Sequence, residues 1–196
     1  GAFGGNSKTD SKLGYYNGLR HDRASQWNGG GGVNAIPVYF YEFKREDQRR
    51  DVTINIFEVN ADEKTEVARA DRWTDGKFRK SWTNITGPSQ NLAVNWPIIR
   101  FSDVLLMFAE ADNELNNGPS NKAISALQEV RARAFIDNPD EIEPIPTGQQ
   151  EFFDAIVHER YLEFGGESIR KYDLIRWNLL NEKFIETRQK LENFME

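Results

Sequence analysis

The chain has 196 residues, a length that corresponds to about one domain, and a hydrophobic share of 38% is enough to build a core. Twenty-five basic against 31 acidic residues leave a net charge of -6, which argues against nucleic acid as a partner and against adsorption to anionic lipid, because both favour a basic face. The absence of Cys excludes disulfides, thiol catalysis and Cys-based zinc, and two histidines, His21 and His158, speak against His-rich metal centres and most catalytic triads.

Residues 1–10 lack an initiating Met, a basic start and an apolar stretch, which reads as a fragment boundary rather than a signal peptide. Nine of the 15 glycines fall in residues 1–32, among them Gly29 to Gly32, so 1–35 is expected to be loop. That loop nevertheless carries Tyr15, Tyr16 and Trp27, more aromatic surface than a linker needs. Residues 36–96 read as an extended and loop segment packed on helices. Ile36 to Phe43 is rich in β-formers, and Val52 to Ile56 alternates with period two, so the two runs can pair as a hairpin. The charged run Lys44 to Asp51 between them is expected to be a solvated turn. Trp73, Trp82 and Trp96 follow among Thr, Asn, Gly and Pro, suggesting loops around aromatic anchors.

From Pro97 onward helical periodicity takes over. Ser102 is a candidate N-cap, followed by Val104, Phe108, Ala111 and Leu115 on one expected apolar face, and Gly118-Pro119 ends the helix. Ser120 caps a second helix with Ala123, Leu127, Val130 and Ala134 on one face. The pair spans 101–135, close to the ~34 residues of a tetratricopeptide helix pair. Small residues, Ala109, Ala111, Ala123 and Ala126, permit close helix approach. After the proline-rich acidic stretch Asp137 to Pro146, Thr147 and Gln150 form a capping-box pattern opening a third helix with Phe153, Ile156, Arg160 and Phe164 on one face. Gly165-Gly166 ends it. A fourth helix is expected from Ser168 to about Trp177, and a fifth from Asn181 with Phe184, Leu191 and Met195 as its stripe. The fold class expected is mostly α: a tetratricopeptide-type helical-repeat scaffold over 97–196, with long loops and a small β-hairpin element.

Most catalytic motifs are missing. Gly29 to Gly32 is not followed by Lys-Ser/Thr, so it is no phosphate loop, and His158-Glu159 does not continue into a second His four residues on. The acids of Asp137 to Glu143 lack calcium-loop spacing, so neither a metal nor another cofactor is expected. Glu159 and Glu163, one helical turn apart, could reach the carboxylate spacing of a glycosidase, about 5–9.5 Å, but nearby arginines make ion pairs the simpler use. Asn84-Ile-Thr86 is a formal glycosylation sequon of a kind that occurs by chance. An exposed aromatic ring beside planar polar groups suits a sugar, whose apolar face stacks while its hydroxyls are read by hydrogen bonds. Tyr15, Tyr16, Asn17, Arg20, Trp27 and Asn28 offer those types in one loop, and the Trp73 and Trp82 region is the other candidate.

Three ordered motifs in the helical half carry a resemblance. Trp96-Pro-Ile-Ile-Arg-Phe-Ser-Asp-Val-Leu-Leu-Met-Phe-Ala-Glu-Ala111, then Val130-Arg131 with Arg133-Ala134, then Ile156-Val-His-Glu-Arg-Tyr-Leu-Glu-Phe164 leading to Arg170 and Tyr172-Asp-Leu-Ile-Arg-Trp177, resemble the SusD/RagB family. Asp47-Gln-Arg49 is similar to that family's Asp-x-Arg element. Phe164-Gly165-Gly166 stands where the family more often has Leu followed by an aromatic and Glu-Gly.

The resemblance implies the C-terminal portion of a non-catalytic, cell-surface glycan-binding lipoprotein of the outer membrane of Bacteroidetes-type bacteria. It implies a glycan ligand, a SusC-like TonB-dependent transporter as partner, and an N-terminal half of the same protein that this chain lacks. With no Cys, these 196 residues hold no lipidation site. Arg100, Glu110, Glu159, Arg160, Glu163, Arg170, Asp173 and Arg176 are charged residues within otherwise apolar helices, and they are expected to form inter-helix ion pairs that set the stacking register. The rival readings are a helical-repeat docking scaffold that binds no sugar, and a carboxylate glycosidase.

Overall fold

The computed structural model describes residues 13–61, 63–82 and 96–195. The Asn84-Ile-Thr86 sequon and the side chain of Tyr15 lie outside the described residues. The chain divides into two compact units, one of residues 1–42, 50–96 and 185–196, the other of residues 43–49 and 97–184.

The first unit contains three single-turn helices, α1 (Leu13–Tyr16), α2 (Pro37–Phe40) and α3 (Arg50–Thr53). Its strands are short: β1 (Ile54–Asn55) pairs antiparallel with β4 (Thr74–Asp75), and β2 (Phe57–Asn60) pairs antiparallel with β3 (Glu63–Glu66). The glycine run is not free loop. It returns antiparallel along residues 16–21: Gly32 N–H donates to Tyr16 O at 2.6 Å, Gly31 N–H to Gly18 O at 3.0 Å, and His21 and Gly29 exchange bonds of 2.7 and 3.2 Å. The other edge of the same segment meets β2, where Val59 N–H donates to Arg20 O and Asp22 N–H to Val59 O, each at 2.9 Å.

The ribbon explains the need for glycine. Gly30 has φ +79°, and a Cβ there would lie 2.2 Å from Leu19 O. Gly30→Ala therefore combines a left-handed backbone with a main-chain clash, and a loss of at least about 1–3 kcal/mol is expected. Urea titration checks this, and a midpoint equal to wild type would mean that the ribbon does not form in solution.

The expected pairing of 36–43 with 52–56 is not observed. Pro37 occupies the first position of α2, where its fixed φ suits a helix and its missing N–H is no loss. Val52 belongs to α3, and the two-residue β1 pairs with β4 instead. The hairpin expected in this segment lies at 57–66.

The second unit is helical. α4 (Phe101–Asn116) packs on α5 (Asn121–Ala134) and α6 (Gln149–Glu163), and α7 (Arg170–Arg176) follows. Its core joins Leu106, Ala109, Ala123, Leu127, Phe152 and Ile156, all fully buried. The two buried alanines let α4 and α5 approach closely. Ser120 caps α5 as expected, its Oγ accepting from Ala123 N–H at 3.3 Å, and all four residues of the expected α5 face are buried. Asn117, in the left-handed region at φ +53°, and Gly118 end α4.

Five expectations are corrected here. The buried residues of α4 are Ser102, Asp103, Leu106, Ala109 and Asn113, whereas Val104, Phe108 and Leu115 are 46%, 43% and 82% exposed. Apolar spacing passes over that face because three of its members are polar. Ser102 Oγ accepts from Arg100 at 2.7 Å and Asn113 Nδ2 donates to Gln149 O at 3.0 Å, which gives each a hydrogen bond when buried. The N-cap of α4 is accordingly Arg100. The N-cap of α6 is Gly148, not Thr147, and the Glu151 carboxylate folds back over it, where a Cβ would come 2.2 Å from Oε2. α7 starts two residues after Ser168, which adopts φ +61° and so cannot begin a helix. The last helix, α8 (Leu180–Met195), buries none of its residues fully; Phe184 and Met195 of the expected stripe are exposed. No described helix is long and apolar enough to cross a membrane.

Candidate functional site: a loop cleft and an ion-paired core

The glycine ribbon of the first unit frames a cleft of about 480 Å³. Tyr16, Arg20 and Asn28, three of the residues singled out from sequence, line it together. Tyr16 is 51% exposed. Asp22, Arg23 and Asn60 complete the polar wall. These three were not foreseen. Asp22 and Arg23 are sequence neighbours of Arg20, whereas Asn60 arrives through the pairing of β2 with residues 20–22.

The cleft residues are held by local bonds. Asp22 Oδ1 accepts from the N–H groups of Ala24 and Ser25 at 3.0 and 2.9 Å, and Oδ2 accepts from Ala61 N–H at 3.1 Å. These donors, Ala61 foremost, hold the Asp22 carboxyl below the usual carboxylate range. His21 also lines the cleft but is largely buried, with Nδ1 3.0 Å from Ser25 Oγ. Arg20 lies 3.5 Å from Glu58, which also accepts from Asn60 Nδ2 at 3.1 Å.

The remaining sugar candidates lie elsewhere. Asn17 Nδ2 donates to Asp75 at 2.8 Å and so ties the ribbon to β4. Trp27 is half-buried and does not line the cleft. Trp73 is an anchor: its Nε1 donates to Val67 O at 3.1 Å and its ring stands 5.2 Å from Phe40. Trp82 is 60% exposed with the Arg79 guanidinium 5.1 Å from its ring centre, but it does not line the cleft.

The second unit contains a buried network of charges. Arg49 Nη1 donates to Glu159 at 2.6 Å and to Glu163 at 3.1 Å, and its Nη2 donates to Asp47 at 2.7 Å. Glu159 also accepts from Arg131 at 2.9 Å. Glu163 accepts from Arg100 at 2.8 Å and from Arg133 at 2.6 Å, and Arg100 reaches Glu167 at 2.8 Å. A second chain of pairs links three helices. Arg160 donates to Asp103 of α4 and Asp173 of α7, each at 2.7 Å; Arg176 joins Asp173 at 3.0 Å and Glu110 at 2.7 Å. Trp177 Nε1 donates to Glu110 at 2.7 Å. Phe164, in the segment that departs from the family pattern, lies between the Arg100 and Arg160 guanidinium groups, each 4.8 Å from its ring centre. Arg170 donates to Val157 O at 2.8 Å and stacks over Tyr161.

The run Lys44 to Asp51 is thus not a solvated turn. Asp47 is fully buried and Arg49 nearly so, because their charges complete the acids of α6. Burial alone would raise the Glu163 carboxyl, but Arg133, Arg100 and Arg49 outweigh it and bring it down to about 2. Burial would likewise lower Arg49, yet Glu159, Asp47 and Glu163 raise it well above the ordinary guanidinium value. Glu159 and Glu163 are both buried against arginines, so ion pairing rather than exposure to a substrate is the use this fold makes of them. Among the described residues no group of three or more His, Asp or Glu is placed to hold a metal ion.

The sequence profile of the SusD family matches residues 57–195. SusD-like protein P25 of Formosa agariphila is 46% identical over 93 residues, which make up 47% of this chain and 17% of that protein. A crystal structure of a SusD homolog from Bacteroides thetaiotaomicron superposes with a TM-score of 0.80 at 24% identity, covering 96% of this chain and 41% of the other. Surface glycan-binding protein A of the same species, solved in complex with laminarihexaose, gives a TM-score of 0.59 at 21% identity over 86% of this chain and 38% of that one. The chain therefore spans about two-fifths of the length of these structures and less of the curated relative.

Proposed function

This chain belongs to the SusD family, and on that premise we propose that it binds a glycan, without catalysis, in the cleft of Tyr16, Arg20 and Asn28. It does so as part of a longer protein at the bacterial cell surface that passes the glycan to a SusC-like TonB-dependent transporter of the outer membrane. The observation that carries this reading is the cleft itself. An exposed tyrosine ring offers a stacking face, and Arg20, Asn28 and Asn60 place planar hydrogen-bonding groups beside it on a backbone fixed by the glycine ribbon. The laminarihexaose complex of a protein with the same fold supports a sugar as the ligand class.

A second reading, docking to protein, is supported by the face of α4 turned away from its core. Phe101, Val104, Phe108 and Leu115 are exposed there in helical spacing. Most of the SusD homolog has no counterpart in this chain, and the N-terminal half of the longer protein is the occupant we assign to that face.

Titration with a panel of soluble polysaccharides, followed by tryptophan fluorescence and affinity-gel retardation, tests the first reading. Tyr16→Ala is expected to weaken binding by about tenfold, and Trp27→Ala, outside the cleft, by much less. Silence of the folded chain across the panel would leave docking as the role of this segment.

A further inference from the structure

We propose that the cleft selects anionic glycans, with the guanidinium groups of Arg20 and Arg23 receiving a carboxylate or sulfate carried on the sugar. The proposal rests on the glycan reading of the cleft and concerns which glycan enters it. Two arginines and one aspartate are the formally charged groups among the described lining residues. The aspartate keeps its charge, but its oxygens are already engaged by main-chain donors. Both Asp22 oxygens are turned to backbone N–H groups, of Ala24 and Ser25 on one side and Ala61 on the other.

Arg20 is only loosely engaged: its side chain is 51% exposed, and its contact with Glu58 is 3.5 Å, longer than a charge-assisted hydrogen bond. Arg23 is exposed on the wall. Buried Lys80 places Nζ 3.4 Å from the carbonyl of Asn28, another lining residue. A neutral sugar is read well by amides and hydroxyls and gains little from paired guanidinium groups. Carboxylates and sulfates match the planar fork in two-point contact. The net charge of -6 gives the chain as a whole no general attraction for polyanions, so retention of one would report this local cluster.

The test uses the full 196-residue chain in affinity gels and fluorescence titrations. The probes are polygalacturonate, carrying carboxylates, iota-carrageenan, carrying sulfate esters, and laminarin, carrying no charge, each at low and high salt. At least one anionic polymer is expected to bind more tightly than laminarin, with affinity falling as salt rises. Arg20→Gln with Arg23→Gln should lower that affinity by about tenfold or more while circular dichroism and melting stay as in wild type. Which polymer responds separates carboxylate from sulfate recognition. Equal or tighter binding of laminarin, or indifference of the anionic polymer to both substitutions, overturns the proposal and leaves the cleft as a site for neutral glycans. If none of the three binds and no other glycan of the panel does, the glycan reading itself fails and this proposal with it.

Discussion

Arg160→Ala is expected to destabilise the second unit by about 3–5 kcal/mol. Arg160 is 3% exposed, and its guanidinium bridges Asp103 of α4 and Asp173 of α7 while lying over Phe164. Truncation removes one charge and leaves two buried carboxylates without their shared donor. Asp173 keeps Arg176, so its loss is partial, whereas Asp103 loses its partner in this chain of pairs. The same truncation also strips packing from one face of the Phe164 ring, which adds to the cost. Arg160→Lys is expected to recover little, since a single ammonium cannot reproduce a fork that reaches two acids on two helices. Urea denaturation of both variants checks this. Unchanged midpoints would mean that the pairs are solvated in solution and contribute nothing.

Acid is expected to weaken the fold through Glu163. Its carboxyl sits at about 2 in the folded chain, against an ordinary value of 4.5. A folded value below the unfolded one means that the stabilisation is fully present above pH 4.5 and is lost as pH falls toward 2. The contribution is roughly 3 kcal/mol. The attraction lost on protonation is that of Arg49, Arg100 and Arg133, which converge on this carboxylate. Glu163→Gln should carry the loss at neutral pH already. Its stability, plotted against pH, should be flatter between 4.5 and 2 than that of wild type. Parallel curves for the two proteins would remove Glu163 from the account of acid sensitivity.

Periodic apolar segments were the part of the fold legible in sequence. α5 was read with its cap and its buried face because Ser120, Ala123, Leu127, Val130 and Ala134 give one consistent pattern. α4 was read as a helix but turned to the wrong side. Its buried stripe contains Ser102, Asp103 and Asn113, and Asp103 and Asn113 find their partners at Arg160 and Gln149, far away in sequence. The same cause hid Asp47 and Arg49. A run of charges looks solvated until the acids of α6, more than 100 residues away, are brought to it, and only the family resemblance hinted at their part. At the cleft, residue chemistry pointed to Tyr16, Arg20 and Asn28, but aromatic content alone could not separate the exposed Tyr16 from the anchoring Trp73. Asn60 had no local signal, since strand pairing delivers it.

The glycine ribbon separates framework from recognition. The bonds that close it between residues 16–21 and 29–32 join main-chain atoms, and its strictest requirement is for residues without a Cβ. Tyr16, Arg20, Arg23 and Asn28 hang from that backbone and are not part of what closes it. Exchanges at those four positions change the ligand-facing surface without dismantling its support. A lineage can therefore retune which sugar it takes, one letter at a time, while the glycines stay fixed, so sequence drift among relatives should concentrate at the side chains of the cleft and spare its turns.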